Sequence, residues 1–273
     1  MADVVLVVAP YASIRIPSMG LGILKSGLQN VGIETAVRYS NIQFAEGIGF
    51  DTYVFFESYS YEDLLGEWTF SKKAFPDFVS NDASFLENAR VTVQATFNES
   101  QLEILLNGKR FDDFFIEIRE KASAHVDTEA AAILEHNPRI VGCSSTFQNH
   151  CFSLALLRRI RELAPDVVTM LGGANCESSM GVVTFNNFTW VDYIVSGEAD
   201  LILPPLCRDI LKNGRYIAGN KMPAGVLGPV HRANTHNEDV TSTGHCILQD
   251  LNDSPIPDFD EYFTMIADRK SVV

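Results

Sequence analysis

Four apolar runs constrain this chain most: "VVLVVA" at Val4–Ala9, "RIVGCS" at Arg139–Ser144, "VVTML" at Val167–Leu171 and "YIV" at Tyr193–Val195. A β-branched run with no polar alternation needs cover on both faces, as in a parallel sheet flanked by helices. Each run stops at a small or polar corner before a helical pattern begins. The first is followed by Met19, Leu21, Ile23, Leu24 and Leu28 at helical spacing, with Ser18 as N-cap and an end near Gly32. "ETAVRY" at Glu34–Tyr39 supplies a further strand. The reading is an α/β fold with a doubly wound, mostly parallel, five-stranded sheet, Rossmann-like or flavodoxin-like.

The rhythm divides the chain. Residues 1–41 and 136–212 carry the strands, whereas 42–135 interrupt them with aromatics and helical patterns such as "QLEILL" and "FDDFFIEIREKASAHV". That stretch reads as a mostly helical insertion after the second strand, its aromatics forming a core and not a ligand cage. Residues 213–273, richer in Gly, Pro, His and Asn, read as a linker or tail.

Bulk properties exclude several classes. A net charge of -14 argues against nucleic-acid binding, and no apolar run is long enough to span a membrane. The start, "MADVVLVVAP", has no basic residue before its apolar run and is a strand, not a signal peptide. Cys143, Cys151, Cys176, Cys207 and Cys246 lie 8, 25, 31 and 39 residues apart. That spacing indicates neither a disulfide framework nor a metal site, and a cytoplasmic location with reduced thiols is expected. His125 and His136 are expected at the surface, and His150, at the cleft after the third strand, as a ligand contact or simply a polar residue at a helix start. His231, His236 and His245 lack the spacing of metal-ligand pairs.

In an open parallel sheet, ligands bind outside the carboxyl ends of the strands. The corners there are "PYASIRIPSMGLG", "SSTFQNH", "GGANCE" and "SGEAD". All are small or polar, and glycine lets a backbone lie against a ligand. The glycines at 20, 22 and 27 do not form a dinucleotide fingerprint, and no P-loop or nucleophile elbow is present.

The order "VVLVVAPYASIRIPSMGLGILKSGLQNVG", "RIVGCSSTFQN", "LGGANCE", "VDYIVSGEAD", "LNDSPIPDFDEYF" resembles the N-terminal half of cobalamin-binding radical SAM enzymes. It is closest to those that modify ribosomally made peptides, which share an insertion after strand two and a "GEW" element like Gly66–Trp68. The resemblance implies cobalamin at the strand carboxyl ends. By position, Tyr11, Ser13, Ile14, Arg15 and Ser18 would approach the lower corrin face. Ser144, Ser145, Thr146 and Phe147 would line the groove for the nucleotide tail. Gly172, Gly173 and Ala174 would pack against that tail, opposite Ser196, Gly197 and Glu198.

Two departures from the family follow. Residues 10–22 contain no His, so no lower axial histidine comes from this loop, leaving Ile14, Arg15 or water near cobalt. No two cysteines fit the C-x3-C-x2-C spacing of the radical SAM cluster, so [4Fe-4S] and S-adenosylmethionine are expected in a barrel following this chain, which is read as one piece of a longer protein. No residue here is assigned a catalytic role. The expected function is a cobalamin-binding module of a peptide-modifying enzyme, with C-methylation as the reaction and a substrate or leader peptide as partner. An enzyme using a different nucleotide-type cofactor on the same sheet, and a peptide-interaction module with a decayed site, stay open.

Overall fold

The computed structural model describes residues 1–59, 62–234, 240 and 242–268. The chain opens with β1 (Val4–Val8), α1 (Met19–Gln29) and β2 (Thr35–Tyr39). Six helices follow without a strand: α2 (Ser40–Ile48), α3 (Phe50–Tyr59), α4 (Leu65–Ala74), α5 (Asp82–Thr96), α6 (Glu99–Leu106) and α7 (Phe111–Leu134). The alternation then resumes with β3 (Ile140–Ser144), α8 (His150–Leu163), β4 (Val168–Gly172), α9 (Ser178–Asn187), β5 (Tyr193–Val195) and α10 (Leu203–Asn213). Last come β6 (Val226–Leu227), α11 (Pro229–Asn234) and α12 (Asp260–Asp268).

The strands form one α/β sheet in the order β2-β1-β3-β4-β5-β6. The first five are parallel, and β6 runs antiparallel to β5. The sheet therefore has six strands, not the expected five. The sixth is only two residues long between Gly225 and Gly228, too short to carry a period-2 signal, yet it covers what would be the open edge of β5. All five residues of β1 are buried, as its central position requires. From β1 the chain winds one way to β2, and after β3 it winds the other way, so the order reverses between β1 and β3.

The helices between β2 and β3 share one core with the sheet. Phe44, Phe55, Phe56, Trp68 and Phe70 are buried, while Phe50 and Phe78 face solvent and Phe75 stacks on Phe188. Tyr11, just after β1, sits among Phe44, Tyr53, Phe56 and Phe70 with ring centroids 4.9–5.8 Å away. The "GEW" element is part of the same seam. Gly66 N donates to Gln148 Oε1 at 2.9 Å, and Glu67 accepts from the backbone N–H groups of His150 (2.8 Å) and Cys151 (2.6 Å). A carboxylate from α4 thus caps the start of α8. Trp68 donates to Asp82 and carries the Arg119 guanidinium over its ring at 4.3 Å.

His125 is half-buried, where an exposed residue was expected. It lies between Phe44 and Phe152, with Nε2 2.8 Å from Ser40 Oγ. A histidine late in a long amphipathic helix looks solvated in sequence, but α2 and α8 cover this face. Burial, with the nearby Arg38 charge, pushes its pKa down to about 4. The unfolded value is near 6.5, so the unfolded chain binds the extra proton first. His125 should therefore cost stability as pH falls from about 6.5 to 4, by about 3 kcal/mol in all. Urea denaturation of wild type and His125→Gln across this range should give a flatter pH slope for the variant, which keeps a partner for Ser40 but does not titrate. Parallel slopes would place the proton uptake elsewhere.

Candidate functional site

A groove of about 220 Å³ opens between one face of the sheet and helices α1 and α10. Its floor is Leu6, Gly142 and Met170 from the central strands, and its helical wall is Gly20, Leu21, Leu24, Leu203 and Cys207. The strand carboxyl ends form its rim: Ser144 after β3, Gly172 and Gly173 after β4, and Gly197, Glu198, Ala199 and Asp200 after β5. The lining is mostly apolar. This is the end of the sheet, and the side of the β1/β3 reversal, where bound ligands are expected in such architectures.

Of the residues singled out in the sequence, Ser144, Gly172, Gly173, Gly197 and Glu198 converge on the groove. Gly173 has φ +95°, and a Cβ there would lie 2.6 Å from the Ser145 carbonyl oxygen, so only glycine allows β3 and β4 to end this close together. Ala174 is exposed in the turn that follows. Ser145 is buried below the rim: its N–H donates to Gly172 O, and its Oγ meets His150 Nδ1 (2.9 Å) and Asn175 Nδ2 (3.1 Å). The Thr146 N–H is tied to Asn149 Oδ1. Phe147 stands out, with φ +48° and 88% of its surface exposed. A bulky residue in that conformation is strained, and here the strain lifts an aromatic ring clear of the strand ends.

The loop after β1 is placed differently from its expected role. Tyr11 points into the aromatic core, with its hydroxyl 3.0 Å from Thr69 Oγ1. Ser13 Oγ accepts from Arg15 N, and the Ser13 carbonyl accepts from Asn41 Nδ2 at 3.0 Å. Ile14 is buried and its carbonyl accepts from Tyr262 Oη at 3.1 Å. Ser18 caps α1 by accepting from Leu21 N. Arg15 and its neighbour Ile16 are exposed, so this loop offers a cation and an apolar side chain on a pinned backbone.

Ser196 is a bracket, not a wall. It is fully buried; its N–H donates to Gly225 O, its carbonyl accepts from Cys246 N, and its Oγ accepts from Ser178 N at 2.9 Å. Gly197 has φ +94° and bridges to Cys246, where any Cβ would strike the Cys246 carbonyl oxygen at 2.3 Å. The two acids that follow hold the returning chain: Glu198 accepts from Leu248 N, and Asp200 accepts from Ser254 Oγ at 2.6 Å. Further on, Asp258 and Glu261 pair with the buried Lys25 of α1. Although burial opposes it, these two acids hold the Lys25 ammonium above its ordinary pKa. The 246–262 stretch therefore runs from the groove rim to α1 and β2.

Sequence reading missed the groove's floor and helical wall. Two signals could have found it. Gly142 interrupts an otherwise bulky strand, and glycine there marks a close approach or an open space. Gly20 sits in a helix, where it costs stability relative to alanine. The thiols near the groove are inert: burial pushes Cys143 well up and Cys207 up to about 12. Among the described residues, no cluster of three or more His, Cys, Asp and Glu side chains could hold a metal ion, and no helix is long and apolar enough to cross a membrane. Comparison with protein-family models, with curated proteins and with solved structures finds no match to this chain.

Proposed function

We propose that this chain is the cobalamin-binding module of a radical SAM enzyme that modifies a ribosomally made peptide by C-methylation. The observation that carries the reading is the glycine-rimmed groove, where Ser144, Gly172, Gly173, Gly197 and Glu198 meet at the strand carboxyl ends. A pocket that encloses a whole drug-sized ligand has about 300–1,000 Å³. This groove is smaller, so it suits a flat heterocycle at the end of a tail, with the bulk of the cofactor outside. Apolar side chains stand exposed around that end: Ile16 before α1, Met19 at its first position, Phe147 after β3, Leu201 after β5 and Ile247 on the returning chain. A large macrocycle with apolar faces would cover them. The strand order β2-β1-β3-β4-β5, with its reversal at β1/β3, is the flavodoxin-like variant of the doubly wound sheet and supports the same reading.

In this reading the groove takes the nucleotide tail, and the loop at residues 12–18 faces the corrin from below. Its backbone is held by Asn41, Tyr53 and Tyr262. Cobalamin, when bound, supplies a cobalt-carried methyl group; the [4Fe-4S] cluster and S-adenosylmethionine belong to a barrel outside this chain. Arg15 is a cation with no lone pair to offer, so this loop gives cobalt no nitrogen ligand.

The test is a titration of the purified chain with hydroxocobalamin, then desalting and an absorbance spectrum. Retention near one corrin per chain, with bands lacking a protein nitrogen ligand, is expected. Loss of all corrin on desalting, together with retention of FMN or NAD in parallel samples, would replace cobalamin by another nucleotide-type cofactor.

A further inference from the structure

The helical wall of the groove is fastened from outside. Residues 254–262, the last stretch of the returning chain, lie against α1 and reach the corner that leads into α10. Ser254 Oγ donates to Asp200 Oδ1 at 2.6 Å, on the groove rim. A Cβ built on Gly27 of α1 would lie 3.3 Å from Pro204 of α10 and 3.5 Å from Pro255, so both helices and this stretch meet there. Nearer the start of α1, Asp258 N donates to Gly22 O at 3.1 Å, and a Cβ on Gly22 would lie 2.6 Å from the Phe259 ring. Between these points the Lys25 ammonium, 5% exposed, is held by Asp258 at 2.7 Å and by Glu261. Tyr262 closes the stretch by donating to the Ile14 carbonyl.

Little apolar burial adds to these contacts. Of residues 254–262 only Tyr262 is buried, and Ile256 is 88% exposed. A segment with few buried apolar contacts opens at low free-energy cost. The helix beneath is weak by itself, since Gly20, Gly22 and Gly27 fall within its 11 residues. Its position therefore depends on what packs against it. Gly22 and Gly27 are also the places where the stretch comes closest to its backbone.

Resting on the assignment of the groove as the ligand site, we propose that residues 254–262 are a latch. Docked, they hold α1 against α10; lifted, they let this wall move outward and admit a ligand. The groove's volume of about 220 Å³ is below the about 300–1,000 Å³ of a pocket that encloses a ligand, as a shut state would be. Lys25 makes the movement all-or-none, because an ammonium covered by the stretch cannot lose one acid cheaply while it stays covered.

Two cysteines report on the wall. Cys207 of α10 lines the groove and is fully buried; Cys176, after β4, is equally buried and does not line it. Timed iodoacetamide labelling, read for each cysteine by mass spectrometry, compares wild type with two variants that lift the stretch in unrelated ways. Gly22→Leu puts a side chain where Phe259 and the Asp258 backbone lie. Asp258→Asn/Glu261→Gln removes both counter-charges of Lys25, at partly exposed positions, and leaves α1 unaltered. In each variant Cys207 should label at least about tenfold faster, while Cys176 keeps its wild-type rate. Should Gly22→Leu not fold, the exchange of the two acids carries the test alone. Unchanged Cys207 labelling would overturn the latch, and so would equal acceleration at Cys176, the mark of general loosening. No cofactor enters the assay, so failure of corrin retention and failure of the latch are told apart.

Discussion

Gly20→Leu should abolish corrin retention and leave the fold at least as stable as wild type. Gly20 lies in the first turn of α1 and lines the groove, and a Cβ built there meets nothing within 4 Å. Exchanging a helical glycine for leucine gains up to about 1 kcal/mol of helix propensity. The new side chain then has only the groove or the solvent to enter, and the apolar walls of Leu21, Leu24 and Leu203 favour the groove. A ligand tail that needs the same space loses it, and retention after desalting should fall at least about tenfold, the effect of about 1.4 kcal/mol. Gly172→Val is the companion variant on the opposite wall. Its Cβ meets Val195 at 3.6 Å or more, which is ordinary contact, so the strand tolerates it. If both variants fold and keep full corrin, the tail does not occupy this groove, whatever else binds the cofactor.

Asp192→Asn should lower unfolding free energy by about 3 kcal/mol, at the low end for breaking a buried ion pair. Asp192, just before β5, is 5% exposed. Its Oδ2 accepts from Thr169 N at 2.9 Å and Thr169 Oγ1 at 3.2 Å, pairs with Arg161, and lies 3.3 Å from Arg215 Nε. Asparagine keeps the shape and can still accept from Thr169, but it leaves two guanidinium groups without their shared counter-charge. A typical domain has only about 5–15 kcal/mol in total. Urea denaturation should show a lower midpoint with an unchanged slope. A loss under about 1 kcal/mol would mean that the carbonyl partners of Arg161 and Arg215 suffice without the carboxylate.

Sequence patterning located five strands because a strand covered on both faces cannot alternate: β1 and β3 are continuous apolar runs, and β1 is buried throughout. It located the Ser18 cap, since a serine ahead of helical spacing has one dominant local use. It also picked out the rim residues Ser144, Gly172, Gly173, Gly197 and Glu198, because tight corners at strand ends demand small residues. β6 escaped because two residues carry no period, and its pairing with β5 is chosen by tertiary contact. Tyr11 and Ser196 carried the composition of ligand contacts, yet one is buried among aromatics from the insertion and the other holds Gly225, Cys246 and Ser178. His125 followed the same logic: its helix is polar enough to look solvated, and only the packing of α2 and α8 leaves it half-buried.

Local chemistry, then, determined the strands, the caps and the small corners, since each depends on neighbours within a few residues. Only the tertiary structure decided which corners face a groove and which are filled by the returning 246–262 segment. Those outcomes depend on contacts between residues far apart in the chain, as between Gly197 and Cys246 or Lys25 and Glu261. Periodicity and spacing carry no record of such contacts.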